Sequence, residues 1–407
     1  MNKKIGILFI INDFNIGGAE VFVLRLGKSL SEKYSIFVLD LYPNKTNLAI
    51  KKMYLDSGFN IIDRQPEIPI YIDKILWKLN ALGEIFYKRG LYSYLKKSIQ
   101  KQILFRCIKQ NNIKIIHSHF YSSDHFSVDY LKLKNIKRVI TLHGDYNEMV
   151  YSNMSVDYKK VFFENSKNIF QKSNAITYVA DKNIEILNQL KIKPLNIKKV
   201  YLGYDIEQTR GLSKLQLKVG NDDIFTFCMV ARAEESKGWS ELLKAFNLLN
   251  HKFKNIRLLC VGPLDGIIKT LQQQYINNKN IIFTGFSDNP SDYILQSDIC
   301  LLPSYYAGES LPYSIIEYLA YDKPIIATEN GEIRHMLSVT TTDIAGILIP
   351  LCKEEELIKH LYVSMEKFLT DKELFNEKQK LTKEAFKKFS MKACSQVYNK
   401  IYSSVLN

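Results

Sequence analysis

The chain has 407 residues, 46% of them hydrophobic and 24% charged, with a formal net charge of +14. That length fits two domains of about 200 residues each, and the composition is that of a soluble globular protein with ample core material. Residues 1–200 hold 32 Lys/Arg against 17 Asp/Glu, and the rest hold 24 against 25, so the basic excess belongs wholly to the first half.

The first apolar run, Ile7–Ile11, is interrupted at Asn12 and Asp13. It is too short for a signal peptide or a spanning helix, so a cytoplasmic protein is expected. Short β-rich runs then alternate with longer amphipathic stretches, the pattern of an α/β chain with parallel sheets. The expected strands of the first half are Ile5–Ile11, Ser35–Leu41, Ile113–His117, Arg138–Leu142, Ala175–Val179 and Lys199–Leu202. Those of the second are Phe225–Val230, Arg257–Val261, Ile281–Thr284, Asp298–Leu302, Pro324–Thr328 and Ile347–Ile349. Two such sets predict two Rossmann-like doubly wound domains facing a central cleft. The expected division is residues 1–203, then 204–388, with the last helix, 389–407, returning to the first domain. The polar stretch Gly203–Asn221 marks the joint, and Ser390 is a plausible helix cap.

Between Lys74 and Lys109 nine Lys/Arg and one acid, Glu84, interleave with aromatic and aliphatic residues. Such a stretch fits a segment lying in a membrane interface. It equally fits an ordinary amphipathic pair with its apolar face on the domain. Nucleic acid is set aside, because zinc-finger spacing, RNA-binding aromatics and a basic heptad region are all missing. An anionic membrane surface is the expected partner of the basic half, placing the protein at the inner face of the membrane. The six cysteines form no CxxC pair and read as small core residues.

The most informative run is Ala307-Gly308-Glu309-Ser310-Leu311-Pro312-Tyr313-Ser314-Ile315-Ile316-Glu317. Pro312 suits the first position of a helix, whose free N–H groups and dipole attract phosphate. Two carboxylates there, Glu309 and Glu317, are wrong for a bare anion. They suit a phosphate ester that also carries hydroxyl groups, since carboxylates accept hydrogen bonds from sugar hydroxyls. A lone Glu-x7-Glu would read as a solvated helix face, so its setting decides.

That setting resembles the retaining GT-B fold glycosyltransferases of family 4 (glycosyl transferases group 1) over nearly the whole chain. The strand ending Cys228-Met229-Val230-Ala231-Arg232 and the following Lys237-Gly238 resemble the family's diphosphate clamp. The resemblance implies that Arg232 and Lys237 hold the nucleotide diphosphate, Glu309 the donor sugar and Glu317 the ribose, with Ser310 and Leu311 at the phosphate-binding helix end. Gly17 and Gly18, in Asn15-Ile16-Gly17-Gly18-Ala19-Glu20, resemble the family's Gly-Gly loop beside the donor. His143, before Gly144, is similar to a family histidine near the donor sugar. Catalytic roles are thereby implied for Glu309, His143, Arg232 and Lys237, and His117 and His119 are acceptor-side candidates. Glycines at 262, 285, 331 and 346 fall in the family's order. Ala180 stands where the family usually has Ser, and Leu202-Gly203-Tyr204-Asp205 lacks the usual Asn.

The implied reaction is retaining transfer of a sugar from a UDP- or GDP-sugar to a hydroxyl of a glycan or polyprenyl-diphosphate-linked acceptor, in bacterial surface polysaccharide synthesis. No DxD triplet is present, so neither metal nor other cofactor is expected. The alternatives are an epimerase or hydrolase of the same fold, or a non-catalytic sugar-nucleotide-binding relative. A nicotinamide dehydrogenase is disfavoured because the Gly-Gly spacing is not that of G-x-G-x-x-G.

Overall fold

A computed structural model describes residues 4–14, 17–76, 78, 91–133, 135–144, 146, 156–206 and 224–407. Each half of the chain forms one all-parallel sheet. The first has the order β3-β2-β1-β4-β5-β6-β7, with β1 Gly6–Ile11, β2 Ser35–Asp40, β3 Asn60–Ile61, β4 Ile113–Ser118, β5 Lys137–Leu142, β6 Ala175–Tyr178 and β7 Ile197–Lys199. The second has the order β10-β9-β8-β11-β12-β13, with β8 Phe225–Val230, β9 Ile256–Val261, β10 Ile281–Gly285, β11 Ile299–Leu302, β12 Ile325–Thr328 and β13 Gly346–Ile349. The fold is α/β, two Rossmann-like units, as the alternating pattern predicts.

The central strands are apolar on both faces because helices cover both. In β1 all six residues are buried, and β11 is buried throughout. The sequence reading misplaces one edge strand and misses another. The last strand of the first sheet lies at Ile197–Lys199, not Lys199–Leu202, and a two-residue strand at Asn60–Ile61 joins the opposite edge. Edge strands bury one flank only, so their sequences carry little of the apolar signal that marks central ones.

The C-terminal helix Met391–Leu406 packs on the helix Gly18–Leu30 of the first half. Its crossing point is pinned where Tyr204 N–H donates to Phe389 O at 2.7 Å and Met391 N–H to Tyr204 O at 3.1 Å. A Cβ on Gly203 would lie 2.7 Å from Met391 Cα, so only glycine admits this helix. In the helix Leu91–Gln110, Leu104 and Ile108 are buried in the core beneath the first sheet. This part of the basic stretch therefore sets one face on the domain; residues 77 and 79–90 of that stretch lie outside the described residues. No described helix is long and apolar enough to cross a membrane. The cysteines are all free, and Cys228, Cys260, Cys300 and Cys394 are buried.

Candidate active site

A doubly wound sheet has a crevice where its strand order reverses, beyond the carboxyl ends of the two central strands. In the first sheet that point lies between β1 and β4, which lead into Gly17–Gly18 and into His119. In the second it lies between β8 and β11, which lead into Arg232–Lys237 and into Pro303–Glu309. The halves meet with these ends together: a Cβ on Gly18 would sit 2.7 Å from Tyr313 Cβ, so the starts of the Gly18–Leu30 and Tyr313–Ala320 helices abut.

Lys237 ends a short 3-10 turn closed by Gly238 in the left-handed region, φ 81°. A Cβ there would strike Pro303 O at 2.3 Å, so this close approach of β8's loop to β11's loop requires glycine. The turn delivers Lys237 Nζ to Glu309 Oε2 at 2.7 Å, with both residues buried. Ser304 Oγ donates to the same carboxylate oxygen at 2.7 Å, and Lys237 lies 4.9 Å from the Tyr306 ring centroid. Glu309 Oε1 has no hydrogen-bond partner among the described residues. The loop carrying Glu309 is tied down by Asn330 Nδ2 donating to Tyr306 O at 2.9 Å and Tyr305 N–H to Ser236 O at 2.8 Å. A buried cation and anion are thereby held in place before any ligand arrives.

Arg232 stands at the end of β8, half-exposed and paired with Glu234 at 2.8 Å. Across the crevice its charge acts on Glu20, a buried acid that the sequence reading did not single out. Burial pushes the Glu20 carboxyl up to about 7, against the lowering effect of its own backbone N–H. Its Oε2 lies 2.3 Å from where a Cβ on Gly17 would be, so the Gly-Gly turn leaves room for this carboxylate.

Glu317 lies a little over one turn into the helix Tyr313–Ala320, and Pro312 caps that helix from outside instead of filling its first position. It is partly buried and faces Arg25. Burial raises its carboxyl to about 7, and the Arg25 charge pulls the other way. Arg25 stacks on the Tyr204 ring at 3.9 Å and donates to Asp205 O at 3.3 Å. Glu317 is thus set between the helix and the joint of the halves. Ser310 accepts from Asn183 Nδ2 at 2.9 Å through its Oγ, and Leu311 is buried.

The histidines separate into two kinds. His143, partly exposed beyond β5, has its Nε2 2.9 Å from His119 Nδ1. Burial lowers its pKa to about 3, so the ring is neutral at physiological pH. His119 Nε2 is buried without a hydrogen-bond partner. An unpaired lone pair costs less there than an unpaired N–H, so His119 donates from Nδ1 and His143 accepts. His117 is a correction to the acceptor-side reading. It is fully buried, with Nδ1 2.7 Å from Tyr402 Oη and Nε2 2.7 Å from Thr141 Oγ1, and serves to seat the C-terminal helix. His119 is corrected likewise: 1% exposed, it orients His143 and offers no open face to an acceptor.

Further residues missed in the sequence bridge the halves. Lys199 Nζ reaches Glu332 Oε1 at 2.7 Å and Asp181 Oδ2 at 2.9 Å, and Lys182 Nζ donates to Ala307 O at 2.9 Å. Ala180, where the family has Ser, keeps its turn because its N–H donates to Asn183 Oδ1 at 2.9 Å. The partners of Lys199 and Lys182 in the other half are distant in sequence, so no local signal marks them. Among the described residues one group has metal-ligand geometry, Cys352, Glu356 and His360, within 4.8 Å of one another on the Glu354–Thr370 helix and its approach, outside the crevice.

Comparison with known proteins agrees with this architecture. The model "Glycosyltransferase Family 4" matches residues 16–208, and "Glycosyl transferases group 1" matches residues 216–388. The capsular polysaccharide biosynthesis glycosyltransferase CapH of Staphylococcus aureus is 24% identical over 98% of this chain and 99% of its own. The uncharacterized glycosyltransferase MJ1059 of Methanocaldococcus jannaschii is 28% identical, over 45% of either chain. Among solved structures, Anabaena Alr3699/HepE in complex with UDP and glucose superposes with a TM-score of 0.70 at 16% identity, covering 98% of this chain and all of that one. TarM superposes with a TM-score of 0.67 at 11% identity, covering 99% of each chain. The two-sheet molecule is therefore a sugar-transferring enzyme of the GT-B type. Within that class the chain belongs to glycosyltransferase family 4.

Proposed function

We propose that the enzyme moves a sugar, with retention of anomeric configuration, from a nucleotide-sugar to a hydroxyl of a glycan or lipid-linked glycan in surface polysaccharide assembly. The observation that carries this reading is the buried Lys237–Glu309 pair set at the crevice between two switch points. Lys237 and Arg232 stabilise the diphosphate as the glycosidic bond breaks and negative charge grows on the leaving oxygen. Glu309, its Oε2 already bonded, offers Oε1 to a donor-sugar hydroxyl. Glu317 accepts from the ribose. His143, neutral and held by His119, hydrogen-bonds the donor sugar next to the reacting carbon.

The acceptor hydroxyl attacks from the face the diphosphate leaves, its proton passing to the departing phosphate oxygen. The carbon–oxygen bond to the diphosphate breaks as the new one forms, and no separate base is required. Contacts of Lys182 and Asn183 with the 307–310 loop close the crevice against water, which would otherwise consume the donor. The resemblance to CapH supports the polysaccharide setting, and the solved HepE complex with UDP and glucose supports a UDP-sugar as donor.

A peripheral seat on the inner, anionic membrane face is part of the proposal. It is supported by the basic first half and by exposed Ile70, Tyr71, Ile75 and Tyr94 beside exposed Lys97. Lys96 is paired with Asp73 at 3.4 Å and Lys101 lies over Tyr130 at 4.7 Å, so these two are already engaged. The function is tested by thermal shift and slow donor hydrolysis with UDP-, GDP- and ADP-sugars. One donor should raise the melting temperature and be hydrolysed in wild type. No response to any of them refutes the reading.

A further inference from the structure

Outside the crevice, the second half carries three unlike metal-binding side chains on one short stretch. Cys352 follows β13, and the chain then enters the helix Glu354–Thr370. Glu354, the first residue of that helix, sits in the left-handed region at φ 55°, so the chain turns sharply there. Glu356 and His360 are four residues apart in the helix, which puts them on one face. Cys352 Sγ, a Glu356 carboxylate oxygen and a His360 ring nitrogen all lie within 4.8 Å of one another.

No side-chain hydrogen bond or ion pair engages any of the three among the described residues. This separates Cys352 from the other cysteines. Cys228, Cys260, Cys300 and Cys394 are buried, and Cys107 Sγ accepts from Asn111 Nδ2 at 3.4 Å. Cys352 is half-buried against the core of the second half, so its sulfur has a fixed base and an open side. Thiolate, imidazole and carboxylate together select a thiophilic divalent cation over magnesium or calcium, whose sites are built from oxygens. Zinc bonds sulfur at about 2.3 Å and nitrogen or oxygen at about 2.0–2.2 Å, and tetrahedral bonds of that length set the ligand atoms about 3.3–3.6 Å apart. Rotation of the exposed Glu356 side chain supplies that closure. A thiolate and a carboxylate neutralise the two positive charges of the ion. Glu354 and Glu355, in the same turn, offset the positive end of the helix dipole.

We propose that Cys352, Glu356 and His360 form a three-ligand zinc site, completed by water, that fastens the chain leaving β13 to the helix Glu354–Thr370. On binding, the Cys352 thiol gives up its proton to solvent. Its sulfur, a Glu356 oxygen and a His360 nitrogen each donate a lone pair to the ion. The helix so fastened packs along Trp239–Lys252, which starts next to Lys237. The ion braces this outer layer of the second half and takes no part in holding a diphosphate. The site departs from the expectation that no metal is bound, which rests on donor chemistry alone.

The test takes the full-length protein, freed of metal with a chelator, and titrates it with Co2+, Zn2+ or Mg2+. Co2+ should saturate at one equivalent with a thiolate-to-metal charge-transfer band, and Zn2+ should displace it. Zn2+ should also raise the melting temperature by mass action, and Mg2+ should not. Cys352→Ser should abolish the charge-transfer band, whereas Cys107→Ser should keep it. His360→Ala and Glu356→Gln should weaken Zn2+ binding at least about tenfold, since even the outer partners of a metal ligand are worth that much. Glu356→Gln changes an exposed side chain and serves should His360→Ala fail to fold. A band that is absent from wild type, fails to saturate at one equivalent or survives Cys352→Ser overturns the site. So does a Zn2+ affinity left unchanged by Glu356→Gln.

Discussion

The two halves present unlike faces to the crevice. The C-terminal half places a buried lysine and glutamate in contact, on loops tied together by Ser304, Asn330 and Gly238. The N-terminal half buries its polar groups one layer deeper, where His117, Thr141, Thr177, Tyr398 and Tyr402 bond one another. Among the described residues, Gly17, Gly18, Glu20 and the His143 edge face the crevice from that side. Charge is preorganised on the C-terminal side, where the proposed function requires it to meet a diphosphate. On the other side polarity holds the scaffold, and the proposed function has neutral groups meet the sugar.

The sharpest way to break this contrast is Lys237→Ala. It should lower transfer by about 10³-fold, the upper range for loss of one charge-stabilising group. It should also cost about 3–5 kcal/mol of stability, because Glu309 is left buried without its cation. Lys237→Met with Glu309→Gln should recover much of that stability in urea unfolding and none of the activity. Recovery of activity by the pair would show the contact to be structural only.

The histidines divide the same way. His143→Ala should reduce kcat about 10²-fold with little change in unfolding. His117→Phe should leave kcat near wild type while losing about 2 kcal/mol, since Tyr402 and Thr141 lose a buried partner. Equal kinetic damage from both would erase the distinction.

Glu317 gives a pH signature. Its folded pKa of about 7 lies above the ordinary 4.5, so the folded state holds the extra proton between those values. Stability should therefore fall as pH rises from about 4.5 to 7. Glu317→Gln should remove about one proton from that dependence, measured by urea unfolding across the range; an unchanged profile contradicts the burial of this acid. The smallest effect concerns the bridge between halves. Lys199→Ala should cost about 1 kcal/mol and widen the molecule in small-angle scattering. An unaltered scattering profile would mean that other contacts hold the crevice shut.

How far the sequence reveals this depends on whether a residue's partners are near it in the chain. Central strands such as Gly6–Ile11 and Ile299–Leu302 announce themselves because both faces are buried. Lys237, Gly238 and Glu309 sit at turns whose glycine and proline punctuation is local. Glu20 lies in the Gly-Gly run, but its burial depends on Tyr54 and the facing half, which local reading does not supply. His117 reads from sequence as a cleft residue for the same reason. Its partner Tyr402 is 285 residues away, on a helix whose return decides what lies beneath the sheet.

Hydrogen exchange with and without UDP or GDP tests the central claim most directly. The account predicts that one nucleotide slows exchange at 232–238, at 309–317 and at 17–20 together, and nowhere comparably elsewhere. Protection absent from 232–238 and 309–317 with every nucleotide, or confined to another face, would contradict it.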